Sequence, residues 1–84
     1  YPNPFNPTTT IQFSLKEQSD VEIGIYNIKG QLVKTILSKD MSAGKHSVNW
    51  NGKDSNGYDV SSGLYLYKMK ANDFKTIKKM LLLK

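Results

Sequence analysis

His46 is the single imidazole among the 84 residues, and an imidazole is the base that a serine or water nucleophile would need near neutral pH. It alternates with Val48 and Trp50, which predicts a place on the core face of a strand, not at an open catalytic surface. The seven carboxylates are scattered over turns, so no pair is spaced for acid and base work on a glycosidic bond. A glycine-flanked nucleophile elbow, a glycine-rich phosphate loop and zinc-ligand spacing are all missing from the sequence. The chain is expected to be non-enzymatic, with no catalytic residue, resident metal or cofactor.

Two other groupings could bind. Asp54-Ser55-Asn56-Gly57-Tyr58-Asp59 resembles part of a calcium loop. With Gly57 at the sixth position of an EF-hand, Asp54 is third and Asn56 fifth, but the first and twelfth positions fall on Gly52 and Gly63. The two strongest carboxylate ligands are therefore absent. The better reading is a turn in which Asp54 and Asn56 bond backbone groups and Gly57 takes a positive φ. Tyr26, Tyr58, Tyr65 and Tyr67 with Trp50 could form a sugar-stacking platform. Tyr65, Tyr67 and Trp50 fall in phase with apolar neighbours, however, and core packing accounts for them.

The elements that would carry these residues are all extended. Turn signals recur every 8 to 12 residues or so, the spacing of a β-sandwich. After the proline-rich opening, where Phe5 is the apolar anchor of a stiff strap, Thr8 to Leu15 alternates with Ile11, Phe13 and Leu15 on one face. Val21, Ile23 and Ile25 mark a second strand, closed by a reversal at Asn27 to Gly30. In a third, Gln31 to Leu37, apolar residues occupy both faces and leave the inward side open. Lys45 to Trp50, a short strand at Tyr58 to Val60, Gly63 to Ala71 and Phe74 to Leu83 complete about seven strands. In Gly63 to Ala71, Tyr65, Tyr67, Met69 and Ala71 share one face, opposite Leu64, Leu66, Lys68 and Lys70. The fold class is all-β, a small Ig-like or fibronectin type III-like antiparallel sandwich occupying residues 1–84 as one domain.

Composition narrows the partners. Hydrophobic residues at 38% suffice for a core and are too many for a disordered tail. Cysteine is absent, so disulfides cannot supplement that core. The longest apolar run is Met80 to Leu83, too short for a transmembrane helix. The net charge of +5 gathers late: Lys68, Lys70, Lys75, Lys78, Lys79 and Lys84 face only Asp73 after Ser61. All twelve basic residues are lysine, and the lack of arginine argues against a nucleic-acid reader. Lysines on sheet edges ordinarily guard against strand pairing with other chains; the competing use is a basic face for a partner. With no initiator methionine or leader, the chain is expected to be a fragment of a larger protein.

Three stretches together resemble a known family: YPNPFNPTTTIQFSL (Tyr1 to Leu15), WNGKDSNGYDVSSGLYLY (Trp50 to Tyr67) and KKMLLLK (Lys78 to Lys84). They are similar to the type A C-terminal sorting domain of the type IX secretion system, and equally to the related Ig-like domain of flagellar hook-capping proteins. The family's opening motif maps onto Pro2, Asn3, Pro4, Phe5, Asn6 and Pro7. Its turn and core motif maps onto Trp50, Gly52, Asp54, Gly57, Val60, Gly63 and Tyr65. Its basic-apolar-basic ending maps onto Lys78, Lys79, Met80, Leu81, Leu82, Leu83 and Lys84.

The resemblance implies a monomeric sorting signal at the end of a cargo protein. Its partners would be the type IX translocon or shuttle, a sortase-like peptidase, and the cargo domains preceding it in the same chain. It would pass through the periplasm and finish outside the cell or on the outer-membrane surface. The alternatives are a hook-capping Ig-like module, or a carbohydrate-binding or spacer domain of an extracellular hydrolase.

Overall fold

The computed structural model describes residues 8–83, and the opening motif at Pro2 to Pro7, with Lys84, lies outside them. Six strands form two antiparallel sheets: β1 (Thr9–Leu15), β2 (Ser19–Tyr26), β3 (Leu32–Met41), β4 (Gly44–Trp50), β5 (Gly63–Ala71) and β6 (Phe74–Leu82). The smaller sheet pairs β1 with β4, and the larger has the order β3-β2-β5-β6. This is the all-β Ig-like sandwich expected, one strand short of seven.

The core follows the alternation in the sequence. Ile11 and Leu15 from β1 and Trp50 from β4 meet Val21, Ile23 and Ile25 from β2, Tyr65, Met69 and Ala71 from β5, and Leu82 from β6. Phe13, Val48 and Met80 close its margins, half-buried. Removing these faces from water is the main favourable term for a domain without disulfides.

The missing strand is Tyr58 to Val60. An isolated bridge between Lys53 and Asp59 stands there instead. The reason is local: the amides of Asn56 and Tyr58 are already taken by the Asp54 carboxylate, so the segment closes on itself as a loop. The third strand runs past its expected end at Leu37 to Met41 and resolves its two-faced pattern through two bulges. Pairing jumps from Ile23–Leu37 to Gly24–Thr35, and from Ile25–Lys34 to Tyr26–Leu32, which leaves Ile36 and Val33 as the inserted residues. Val33, Ile36, Leu37 and Met41 consequently all pack against the core while Leu32 stays outside. The link from β1 to β2 is short, because Ser19 already begins β2, buried, with its hydroxyl donating to the Glu17 carbonyl at 3.0 Å.

The hairpin turns carry their own fastenings. Asn27 Oδ1 accepts from the amides of Lys29 and Gln31, with Gly30 at φ +85° completing the reversal between β2 and β3. Between β5 and β6, Asn72 sits at φ +53° and Asn72 Oδ1 accepts from the Asp20 amide at 3.1 Å. That bond ties the β5–β6 hairpin to the start of β2.

Candidate functional site: a fastened loop and an exposed edge strand

Trp50 ends β4 and is 1% exposed. Its indole N–H donates to the Lys53 carbonyl at 2.9 Å, so the polar edge of this ring is satisfied inside the core. Two residues on, Gly52 is buried at φ +76°, and its carbonyl accepts from the Val60 amide at 3.0 Å. Asp54 Oδ1 accepts from the amides of Asn56 (2.9 Å) and Tyr58 (3.0 Å), while the Asp54 amide donates to the Tyr58 carbonyl. Gly57, at φ +85°, donates to the Asp54 carbonyl. Ser55 fixes the whole loop to β3, its amide and hydroxyl both donating to the Val33 carbonyl at 3.1 Å. Gly63 then opens β5, and the Tyr65 hydroxyl donates back to the Ser61 carbonyl at 2.7 Å. That back-bond is the device by which Ig-like sandwiches pin a corner with a tyrosine.

The residues of the second motif are thus brought together as one fastening for the loop between β4 and β5. The calcium-like loop spends Asp54 Oδ1 on two amides, and Asp59 meets the Lys53 ammonium at 2.9 Å. Among the described residues no cluster of three or more His, Asp or Glu side chains is arranged to hold a metal ion. The aromatic residues are dispersed in the way core packing requires: Trp50 and Tyr65 are buried against each other, Tyr67 and Tyr26 are half-buried, and Tyr58 stands alone at 70% exposure. His46 is half-buried at the margin, in phase with Val48 and Trp50 as expected. It packs 5.5 Å from the Phe13 ring, its Nε2 donates to the Ser42 carbonyl at 2.8 Å, and the described residues give it no carboxylate partner.

Lys78 to Leu82 of the third motif lie on β6, an edge strand of the larger sheet among the described residues. One side of its backbone pairs with β5, and among the described residues no strand pairs with the other. Register with β5 sorts the side chains: Lys78 and Met80 oppose Tyr67 and Tyr65, on the core side, and Lys79 and Leu81 oppose Leu66 and Leu64, on the outer side. Leu82 is buried and Met80 half-buried, whereas Leu81 and Leu83 are exposed, so the apolar run is not a continuous anchor. Lys78 and Lys79 both reach solvent from opposite faces. The outer face as a whole escapes the reading of single strands. Leu64 and Leu66 alternate with tyrosines in the sequence, and that two-sided apolarity was the available signal.

The model of the FlgD Ig-like domain family matches residues 4–74, most of the chain. The chain belongs to that family. Solved structures share the fold of this chain. FlgD from Pseudomonas aeruginosa (P. Aeruginosa) is 26% identical with a TM-score of 0.71, over 89% of this chain and 59% of that one. Dimeric latent PorU from Porphyromonas gingivalis is 24% identical with a TM-score of 0.71, over 96% of this chain and 8% of PorU. FlgD from Xanthomonas campestris, whose structure concerns hook capping in flagellar assembly, is 22% identical with a TM-score of 0.70, over 92% and 56%. The FlgD Ig-like chain therefore spans less than two thirds of each. No curated protein is a significant match.

Proposed function

We propose that this FlgD Ig-like domain is a non-catalytic sorting module that directs a larger cargo protein through the type IX outer-membrane translocon to the cell surface or the medium. The observation that carries the reading is the position of Lys78 to Leu82 on β6, an edge strand among the described residues, with both lysines solvated. A receptor strand could add to this edge through main-chain hydrogen bonds while its carboxylates meet Lys78 and Lys79. The likeness to a segment of a far longer chain, 8% of PorU, supports a module that travels with other domains. The resemblance of the three motifs to type IX sorting domains supplies the rest.

Export of a fused reporter in a host possessing the translocon tests this. Changing Lys78, Lys79 and Lys84 to glutamine should leave the domain folded, since substitution of exposed side chains such as Lys78 and Lys79 usually costs within about 0.5 kcal/mol each. Secretion should nevertheless fall. The matched control changes Lys16, Lys29 and Lys45, all exposed; Lys34 is half-buried and Lys53 pairs with Asp59, so neither suits a control. Equal secretion of both folded variants would reduce the lysines to edge protection.

A second reading has its own support. Family membership and the 26% identity to FlgD favour an Ig-like module of a hook-capping protein. In that case the wild-type fusion would not be exported by the translocon at all.

A further inference from the structure

The two solvent faces of the sandwich differ in kind. On the smaller sheet, the outward residues are Thr10, Gln12 and Ser14 from β1 and Lys45, Ser47 and Asn49 from β4, all exposed and all polar. That is the ordinary outer side of an antiparallel sheet. On the larger sheet the same rule is broken. Leu64 and Leu81 lie directly opposite each other at 44% and 59% exposure, Leu66 opposes Lys79, and Lys68 opposes Ile77 at 60% exposure. The next rung sets Lys70 against Lys75.

Along this face an apolar rung at one end, Leu64–Leu81, gives way to two rungs that mix leucine or isoleucine with lysine, and the last rung is Lys70–Lys75. Like charges directly across a strand pair cost stability, and the Lys70–Lys75 rung carries that cost. Lys70, Lys75 and Lys79 form no ion pair within 4 Å among the described residues, and Lys68 rests over the Tyr26 ring, 4.3 Å from its centroid. At this end Glu22 opposes Lys70, and Asp20 and Asp73 line the same surface hollow as Lys70. Neighbouring exposed apolar residues interleaved with Lys68 and Lys79 mark a docking surface.

We infer that the outer face of β5 and β6, centred on Leu64, Leu66, Ile77 and Leu81 with Lys68 and Lys79, docks a folded partner protein whose own apolar patch is rimmed by carboxylates. A second copy of this chain is disfavoured because it would bring the same lysines together. The inference deepens the sorting reading and rests on it. Recognition then extends across two strands, and the final seven residues supply only Lys79 and Leu81 of it.

The experiment compares export of the reporter fusion carrying the wild-type domain with Leu64→Thr/Leu81→Thr, Lys68→Gln/Lys79→Gln, Lys68→Glu/Lys79→Glu and, on the polar face, Gln12→Glu/Lys45→Glu. Thermal melts establish that each variant is folded. The outer-face threonine and glutamate pairs should lower export about tenfold or more, and glutamate should act more strongly than glutamine because it repels the partner's carboxylates. The polar-face pair should export like wild type. Wild type exported with all outer-face variants equal to it would overturn the docking surface and leave the sorting reading standing. Equal effects of glutamine and glutamate would overturn the acidic rim. Wild type not exported would remove the sorting reading, and this inference with it. Sedimentation showing a dimer that Leu64→Thr/Leu81→Thr dissolves would assign the face to self-association instead.

Discussion

The edge of one aromatic ring meets the face of the other where Trp50 and Tyr65 cross the sandwich, their centroids 5.2 Å apart and their planes inclined at 70°. Each polar tip is tied to a carbonyl of the loop between them in sequence, Trp50 to Lys53 and Tyr65 to Ser61. The pair therefore joins the two sheets and clamps the loop in a single arrangement.

Trp50→Ala should cost about 3–5 kcal/mol, as truncation of a fully buried large aromatic does. A domain of this size has little more than that to lose. Urea denaturation followed by far-UV circular dichroism measures it. Unchanged stability would put the indole at the surface and return the sugar-stacking platform to consideration. Trp50→Phe, which keeps most of the ring volume, should remain folded at reduced stability.

Tyr65→Phe isolates the hydroxyl. The ring stays, the 2.7 Å bond to the Ser61 carbonyl goes, and the loss should be about 0.5–1.5 kcal/mol. Trp50 fluorescence should keep its buried emission maximum. A red shift would mean that the hydroxyl positions the indole as well as the corner.

Asp54→Ala removes the acceptor for two amides and should cost about 1–3 kcal/mol. Asp54→Asn keeps an oxygen in the same place and should recover most of that. If charge and not geometry mattered, as in a cation site, asparagine would be as harmful as alanine. The companion expectation is that EDTA leaves the melting temperature in place, and a drop reversed by calcium would contradict it.

Gly24 supplies space for the stack above it. A Cβ there would come within 3.1 Å of Tyr26 Cε1 and 3.3 Å of Leu32 Cδ1. Both are tips of mobile side chains, so Gly24→Ala should change stability by no more than about 1 kcal/mol. The ring should tilt away from Lys68. The readout is the ring-current shift of the Lys68 ε-methylene protons, displaced upfield in the wild type and relaxed toward the random-coil value in the variant.

The isolated domain should be a monomer with an all-β far-UV spectrum and well-dispersed amide resonances. Substantial helix, or a collapsed spectrum, would contradict the alternation on which the strands rest.

Alternation alone was enough to assign β1, β2, β4 and β5, together with the inward placement of Ile11, Val21, Ile23, Ile25, Trp50, Tyr65, Met69 and Ala71. Side chains of a strand point to opposite faces with period two whatever their neighbours do, so this information is local and survives in the sequence. The turns at Asn27–Gly30 and Asp54–Gly57 were legible for the same reason, because each is closed by bonds between residues a few positions apart. Tyr58 to Val60 was misassigned because its alternation ignores where its amides are already bonded. The facing of β3 was beyond the sequence: the bulges at Val33 and Ile36 exist only in pairing with β2. Whether Leu64, Ile77 and Leu81 would be covered was equally undecided, since a strand's pattern says which residues share a face and not what lies above it. Only the tertiary strand order β3-β2-β5-β6 leaves β6 at an edge and aligns Leu64 with Leu81 beside unpaired lysines. Local dihedral preference writes the strands, whereas non-local pairing and coverage write the surface.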